Sequence, residues 1–109
     1  MKIQIRQVAQ FSYFLHDYVE RRVGMVLGRF GEKLKSIKIT LRDLNGPKGG
    51  LDKKCQVTLK LKNKLIVLEG IERDFYTVVD FTLERLSRKV AKELGRFSRI
   101  RYRGFKYGL

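Results

Sequence analysis

Apolar and polar residues recur along this chain with two different periods, and the changes of period mark its elements. In residues 2–6, Ile3 and Ile5 alternate with Lys2, Gln4 and Arg6, the period-two pattern of a strand buried on one face. Over residues 12–30 the period lengthens. Leu15, Val19, Val23, Val26, Leu27 and Phe30 share one face of a predicted helix, with Ser12 placed to cap it and Gly31 to end it. Gly24 and Gly28 fall on its outer side, as tolerated surface positions that weaken the helix by about 1 kcal/mol each relative to Ala. Period two returns over residues 36–43, with Ile37, Ile39 and Leu41 inward and Lys38, Thr40 and Arg42 outward. It recurs over residues 54–61, with Cys55, Val57, Leu59 and Leu61 inward and Lys54, Gln56, Thr58 and Lys60 outward.

Asn45-Gly46-Pro47-Lys48-Gly49-Gly50 is a cluster of turn formers and predicts a loop. Lys62-Asn63-Lys64 is a tight connection. Residues 65–69 predict a fourth strand, apolar on both faces in its middle, so its register is left open. A second helix is predicted over residues 74–96. Asp74 is its N-cap and Gly95 its C′ residue, and Tyr76, Val79, Leu83, Leu86, Val90 and Leu94 line one face. Arg85, Arg88, Lys89, Lys92 and Arg96 project from the other. Val78 and Phe81 face outward among these cations; packing on the first helix is the favoured reading and contact with a partner the alternative.

The order β-α-β-β-β-α predicts an α+β fold, a four-stranded sheet with two helices packed on one face. The first two strands are expected to be parallel neighbours, and the later short connections suit antiparallel hairpins. One domain is expected over residues 1–96. Residues 97–109 carry Arg99, Arg101, Arg103 and Lys106 and no acid, with Gly104 and Gly108 disfavouring regular structure. They are expected to form a mobile basic tail.

Charge narrows the function classes. Lys and Arg number 25 and Asp and Glu 11 in 109 residues, a net charge of +14. Such an excess points to a polyanionic partner. From Arg85 to the C-terminus the only acid is Glu93, so the cationic stripe is more than an ordinary solvated face. The outward face of the sheet is basic through Lys2, Arg6, Lys38, Arg42, Lys54 and Lys60. It lacks aromatics on which bases could stack, so shape and phosphate recognition of structured RNA fits better than single-strand reading. A membrane surface is a weaker fit. The tail mixes Phe97, Tyr102, Phe105 and Tyr107 with arginines but has neither helical amphipathicity nor a lipidation motif. The N-terminus has no apolar signal region, and no run approaches the roughly 18–20 apolar residues of a membrane span. A cytoplasmic protein is expected.

Catalytic chemistry finds little material. His16 and Cys55 are the only residues of their types, so no intramolecular disulfide is possible. Cys55 has core parity in its strand, and His16 lies in the first turn of a helix. No nucleotide, zinc or redox motif is present. The loop at Gly46–Gly50 is followed by a strand, so it lacks the helix N-terminus of a phosphate cradle. Neither an enzyme, a metal, a cofactor nor a small-molecule substrate is expected.

The segment from Arg42 to Cys55, RDLNGPKGGLDKKC, resembles the loop of short bacterial proteins of the ribosome hibernation promoting factor / ribosome-associated inhibitor A family, also known as sigma-factor modulation or ribosomal subunit interface proteins. Asp74 to Asp80, DFYTVVD, followed by Arg85-Leu86, is similar to that family's second helix. The element order matches as well, and the resemblance covers residues 1 to about 95. It implies a fold related to double-stranded-RNA-binding domains. It also implies binding to the small ribosomal subunit and its rRNA in the channel used by messenger and transfer RNA, blocking initiation under stress or in stationary phase. The family's RNA-facing positions carry over onto Arg85, Arg88, Lys89 and Lys92, and onto Arg21 and Arg22. Arg96 extends the stripe, and Lys48, Lys53 and Lys54 of the loop are further expected contacts. The sequence stops at Leu109, so the dimerisation domain of long members is expected to be absent and the protein monomeric off the ribosome. The basic tail has no assigned family role. Two alternatives stand beside this reading: a general structured-RNA-binding protein, and a basic modulator of a transcription factor.

Overall fold

The predicted order of elements is the observed one. The structure, a computed structural model, describes residues 1–8, 10–44 and 51–101, with residues 96–101 described by backbone alone. Strand β1 spans Lys2–Gln7, helix α1 Tyr13–Leu27, β2 Leu34–Asp43, β3 Lys53–Leu61, β4 Leu65–Glu72 and helix α2 Phe75–Arg101. The sheet order is β1-β2-β3-β4. β1 and β2 pair in parallel, with α1 between them in sequence, and the other two pairings are antiparallel. Both helices cover one face. Leu15, Val19, Val23 and Leu27 of α1 and Val79, Leu83, Leu86 and Val90 of α2 are buried on Ile37, Ile39, Leu41, Val57 and Leu59. Each such side chain contributes about 1.5–3 kcal/mol of burial.

Ser12 caps α1 as expected, its hydroxyl accepting from the Leu15 N–H at 3.3 Å. The α-helix stops at Leu27, earlier than predicted, and tightens into a 3-10 segment over Gly28–Lys33. Gly31 breaks that segment with φ 58°, the left-handed conformation that glycine adopts without a Cβ penalty. Leu34 and Ile37 are both buried despite their odd spacing, because a register shift lies between Leu34 and Ser36.

Further expectations are corrected. Ile3 and Tyr76, expected on buried faces, are 37% and 39% exposed, Ile3 because β1 is an edge strand and Tyr76 because it lies in the first turn of α2. The ambiguous fourth strand runs to Glu72, and its pairing decides its faces. Leu68 stands opposite Val57 and Ile66 opposite Leu59, so both point under the helices and leave Leu65, Val67 and Ile71 exposed. Val78 does not face outward; it is fully buried over β4. Gly95 does not end α2, which continues to Arg101. One glycine costs a helix only about 1 kcal/mol, and neither Pro nor Gly follows before residue 104. The start of the expected tail is therefore helical backbone, and its remainder, residues 102–109, lies outside the described residues together with the loop at 45–50.

Candidate nucleic-acid interface

Helix α2 positions the core of the site. Asp74 holds its first turn, accepting from the Thr77 N–H at 2.9 Å and from the Thr77 hydroxyl at 3.1 Å. With the buried face fixed against the sheet, Phe81, Arg85, Arg88 and Lys92 fall at i, i+4, i+7 and i+11 on a single strip. Arg88, Lys89 and Lys92 are exposed, and none has an ion-pair partner among the described residues. Arg85 is half-buried. Its Nη1 donates to the Glu69 carbonyl of β4 at 3.1 Å, and its guanidinium lies 5.6 Å from the Phe81 ring centroid. A carbonyl does not neutralise a guanidinium, so Arg85 still contributes charge. Glu93, the acid nearest the end of the strip, is engaged by Lys64 of the β3–β4 turn at 2.7 Å.

The α1 cations behave differently. Arg21 pairs with Asp17 one turn earlier, at 3.2 Å. Arg22 crosses to α2, its Nε donating to Asp80 at 2.9 Å. The Tyr18 hydroxyl donates to both Asp80 oxygens at 2.7 and 2.8 Å, and its ring meets Tyr76 edge-on at 4.9 Å. The Asp80 hydrogen bond, with burial, raises the Tyr18 pKa. Arg29, in the 3-10 segment, donates to Ser87 of α2 at 3.1 Å and remains exposed.

At the other end of the sheet, Lys53 contacts Asp43 at 3.0 Å and the fully buried Asp52 at 3.1 Å. The hydrogen bond to Asp43 is the main cause of its raised pKa. Lys53 thus ties the start of β3 to the end of β2, beside the Leu44 N–H that donates to the Asp52 carbonyl. Lys54 lies 3.5 Å from Glu69. Lys48 and the Arg96 side chain lie outside the described residues.

The expected site residues therefore divide. Arg85, Arg88, Lys89 and Lys92 share one helix as an electropositive surface, whereas Arg21, Arg22, Lys53 and Lys54 each face a carboxylate. Phe81, absent from the expected set, lies within the strip, and its spacing to Arg85, Arg88 and Lys92 was the available signal. Cys55 is fully buried in β3, and burial pushes its thiol up to about 12. His16 sits on α1, 3.5 Å from Glu20. Among the described residues no cluster of three His, Cys, Asp or Glu could hold a metal, and no helix is long and apolar enough to cross a membrane.

A family model described as Sigma 54 modulation protein / S30EA ribosomal protein matches residues 1–98. The chain belongs to this family. The sequence resemblance to the hibernation promoting and ribosomal subunit interface proteins is thereby borne out. No curated protein matches the chain by sequence. Solved structures of the same fold include a ribosomal subunit interface protein from Coxiella burnetii, 22% identical with a TM-score of 0.71 over 87% of this chain and 99% of that one. Another is the N-terminal domain of Protein Y from Thermus thermophilus, 22% identical with a TM-score of 0.67 over 84% of this chain and 98% of that one.

Proposed function

We propose that this chain is a ribosome-associated translation inhibitor that binds small-subunit rRNA in the mRNA/tRNA channel and blocks initiation under stress or in stationary phase. Membership of the S30EA family supports ribosome association. The observation that carries the RNA-binding step is the row of exposed cations on α2, Arg88, Lys89 and Lys92 beside Arg85, without ion-pair partners among the described residues. Phosphates neutralised there release counterions, and that release drives binding without any catalytic group. Inhibition is then steric: the protein body occupies the space that messenger and transfer RNA need. The site is cytoplasmic, and the protein acts without cofactor.

The test is co-sedimentation with purified small subunits at near-physiological salt, with excess unrelated duplex RNA as competitor. Retention on the subunit and displacement by initiator transfer RNA with messenger are the expected results. Transfer to the competitor would reduce the protein to a general structured-RNA binder and sink channel occupancy. Arg88→Glu with Lys92→Glu should abolish association while leaving the melting temperature unchanged, because neither side chain has an ion-pair partner to lose among the described residues. Replacement by Ala should flatten the log–log salt dependence by about 0.7–0.9 for each phosphate contact removed.

A further inference from the structure

We propose that Phe81 is a base-contacting residue, giving the α2 strip a preference for RNA that presents an unpaired, unstacked base. The inference rests on the reading of α2 as an RNA surface and adds to it what that surface selects. Phe81 is 48% exposed although the neighbouring apolar positions of α2, Val78, Val79 and Leu83, are completely buried. Its ring is therefore not required by the core. It lies on the same strip as Arg85, Arg88 and Lys92, where phosphates are expected to run. Arg85 is held from two sides, by its bond to the Glu69 carbonyl and by the Phe81 ring 5.6 Å away. That arrangement orients the ring beside a fixed cation before any ligand arrives.

Cations alone read phosphates, which carry no information about base pairing. An aromatic ring adds a surface for a nucleobase, and stacking is available only to a base that has left its own helix. Within a duplex each base already stacks on its neighbours and offers Phe81 no face. A bulge, loop or extruded nucleotide does. The outward face of the sheet has no aromatic to do this, and the exposed Phe11, Tyr13 and Phe14 lie before and in the first turn of α1, whereas Phe81 lies within the α2 strip beside Arg85. The chemistry is that of any purine or pyrimidine face, because stacking on a phenyl ring does not distinguish hydrogen-bonding edges.

The experiment uses the full chain and two RNA hairpins with identical stems, one fully paired and one interrupted by a single bulged 2-aminopurine. Affinity is measured at several salt concentrations for the wild type, Phe81→Leu and Phe81→Tyr. The wild type is expected to prefer the bulged hairpin by about tenfold, within the range of base–aromatic stacking. Phe81→Tyr should keep the preference. Phe81→Leu, which keeps the apolar bulk but not the ring, should bind both hairpins equally with an unchanged salt slope. The 2-aminopurine fluorescence should change on binding the wild type and the Tyr variant but not the Leu variant. A preference retained by Phe81→Leu, or a wild type that binds both hairpins equally, overturns the role of Phe81 and leaves the phosphate-binding reading intact. A wild type that binds neither hairpin overturns the base-contacting role of Phe81, while the phosphate-binding reading stands or falls on co-sedimentation with the small subunit.

Discussion

At Gly70 the backbone of β4 lies directly under α2. A Cβ there would stand 2.6 Å from Thr82 Oγ1 and 3.3 Å from Val78 Cγ2. Thr82 is buried and β-branched, so its hydroxyl cannot move aside cheaply. Gly70→Ala is expected to destabilise the fold by about 1–3 kcal/mol through overpacking, read by thermal denaturation. Adding Thr82→Ala should recover part of the loss. Cys55, paired opposite Gly70, carries a second prediction at this scale. Burial raises its thiol from 9.0 to about 12, with the Thr82 hydroxyl opposing slightly. Above pH 9 the unfolded chain releases this proton while the folded chain keeps it. Its contribution is therefore complete below the unfolded value and falls as the pH rises toward 12, by up to about 1.4 kcal/mol per unit. Denaturation of wild type and Cys55→Ala across that window should show the wild type losing stability more steeply.

Between elements, the contact that joins the two helices on their polar side is Asp80 with Tyr18 and Arg22. Asp80→Ala leaves both donors without this acceptor. Because Arg22 and Asp80 side chains are 22% and 38% exposed, water replaces part of the loss, and about 1 kcal/mol is expected from the urea midpoint. Arg88→Ala, as a control, should leave the midpoint unchanged. The inward faces of α1, β2 and β3 were legible in the sequence, since periods of 3.6 and 2 follow directly from local backbone geometry, whereas on α2 Tyr76 is 39% exposed and Val78 fully buried, the reverse of their expected places. The faces of β4 were not legible, because Leu65, Ile66, Val67 and Leu68 offer apolar side chains to both sides. Only pairing with β3 chooses between them. The end of α2 was misplaced for a related reason: Gly95 permits termination but does not impose it.

For the whole molecule, the net charge of +14 identifies the class of partner but not the surface that meets it. Folding sorts the cations. Arg22 is joined to Asp80 58 residues away, and Lys53 is held by Asp43 and Asp52, so these charges serve the fold. Arg88, Lys89 and Lys92 stay open to solvent, without such partners among the described residues, and give α2 its field. The candidate site was thus half readable. The stripe on α2 and the outward place of Phe81 within it followed from helical spacing, whereas the paired state of Arg21, Arg22, Lys53 and Lys54 did not. By itself the sequence determined the order of elements, the buried faces of α1, β2 and β3, and the excess of positive charge. Those properties depend on near neighbours in the chain and on composition. The tertiary structure alone decided the register of β4, the burial of Val78 against Gly70 and which cations are paired with carboxylates. Each depends on groups far apart in sequence that only the packed sheet and helices bring within bonding distance.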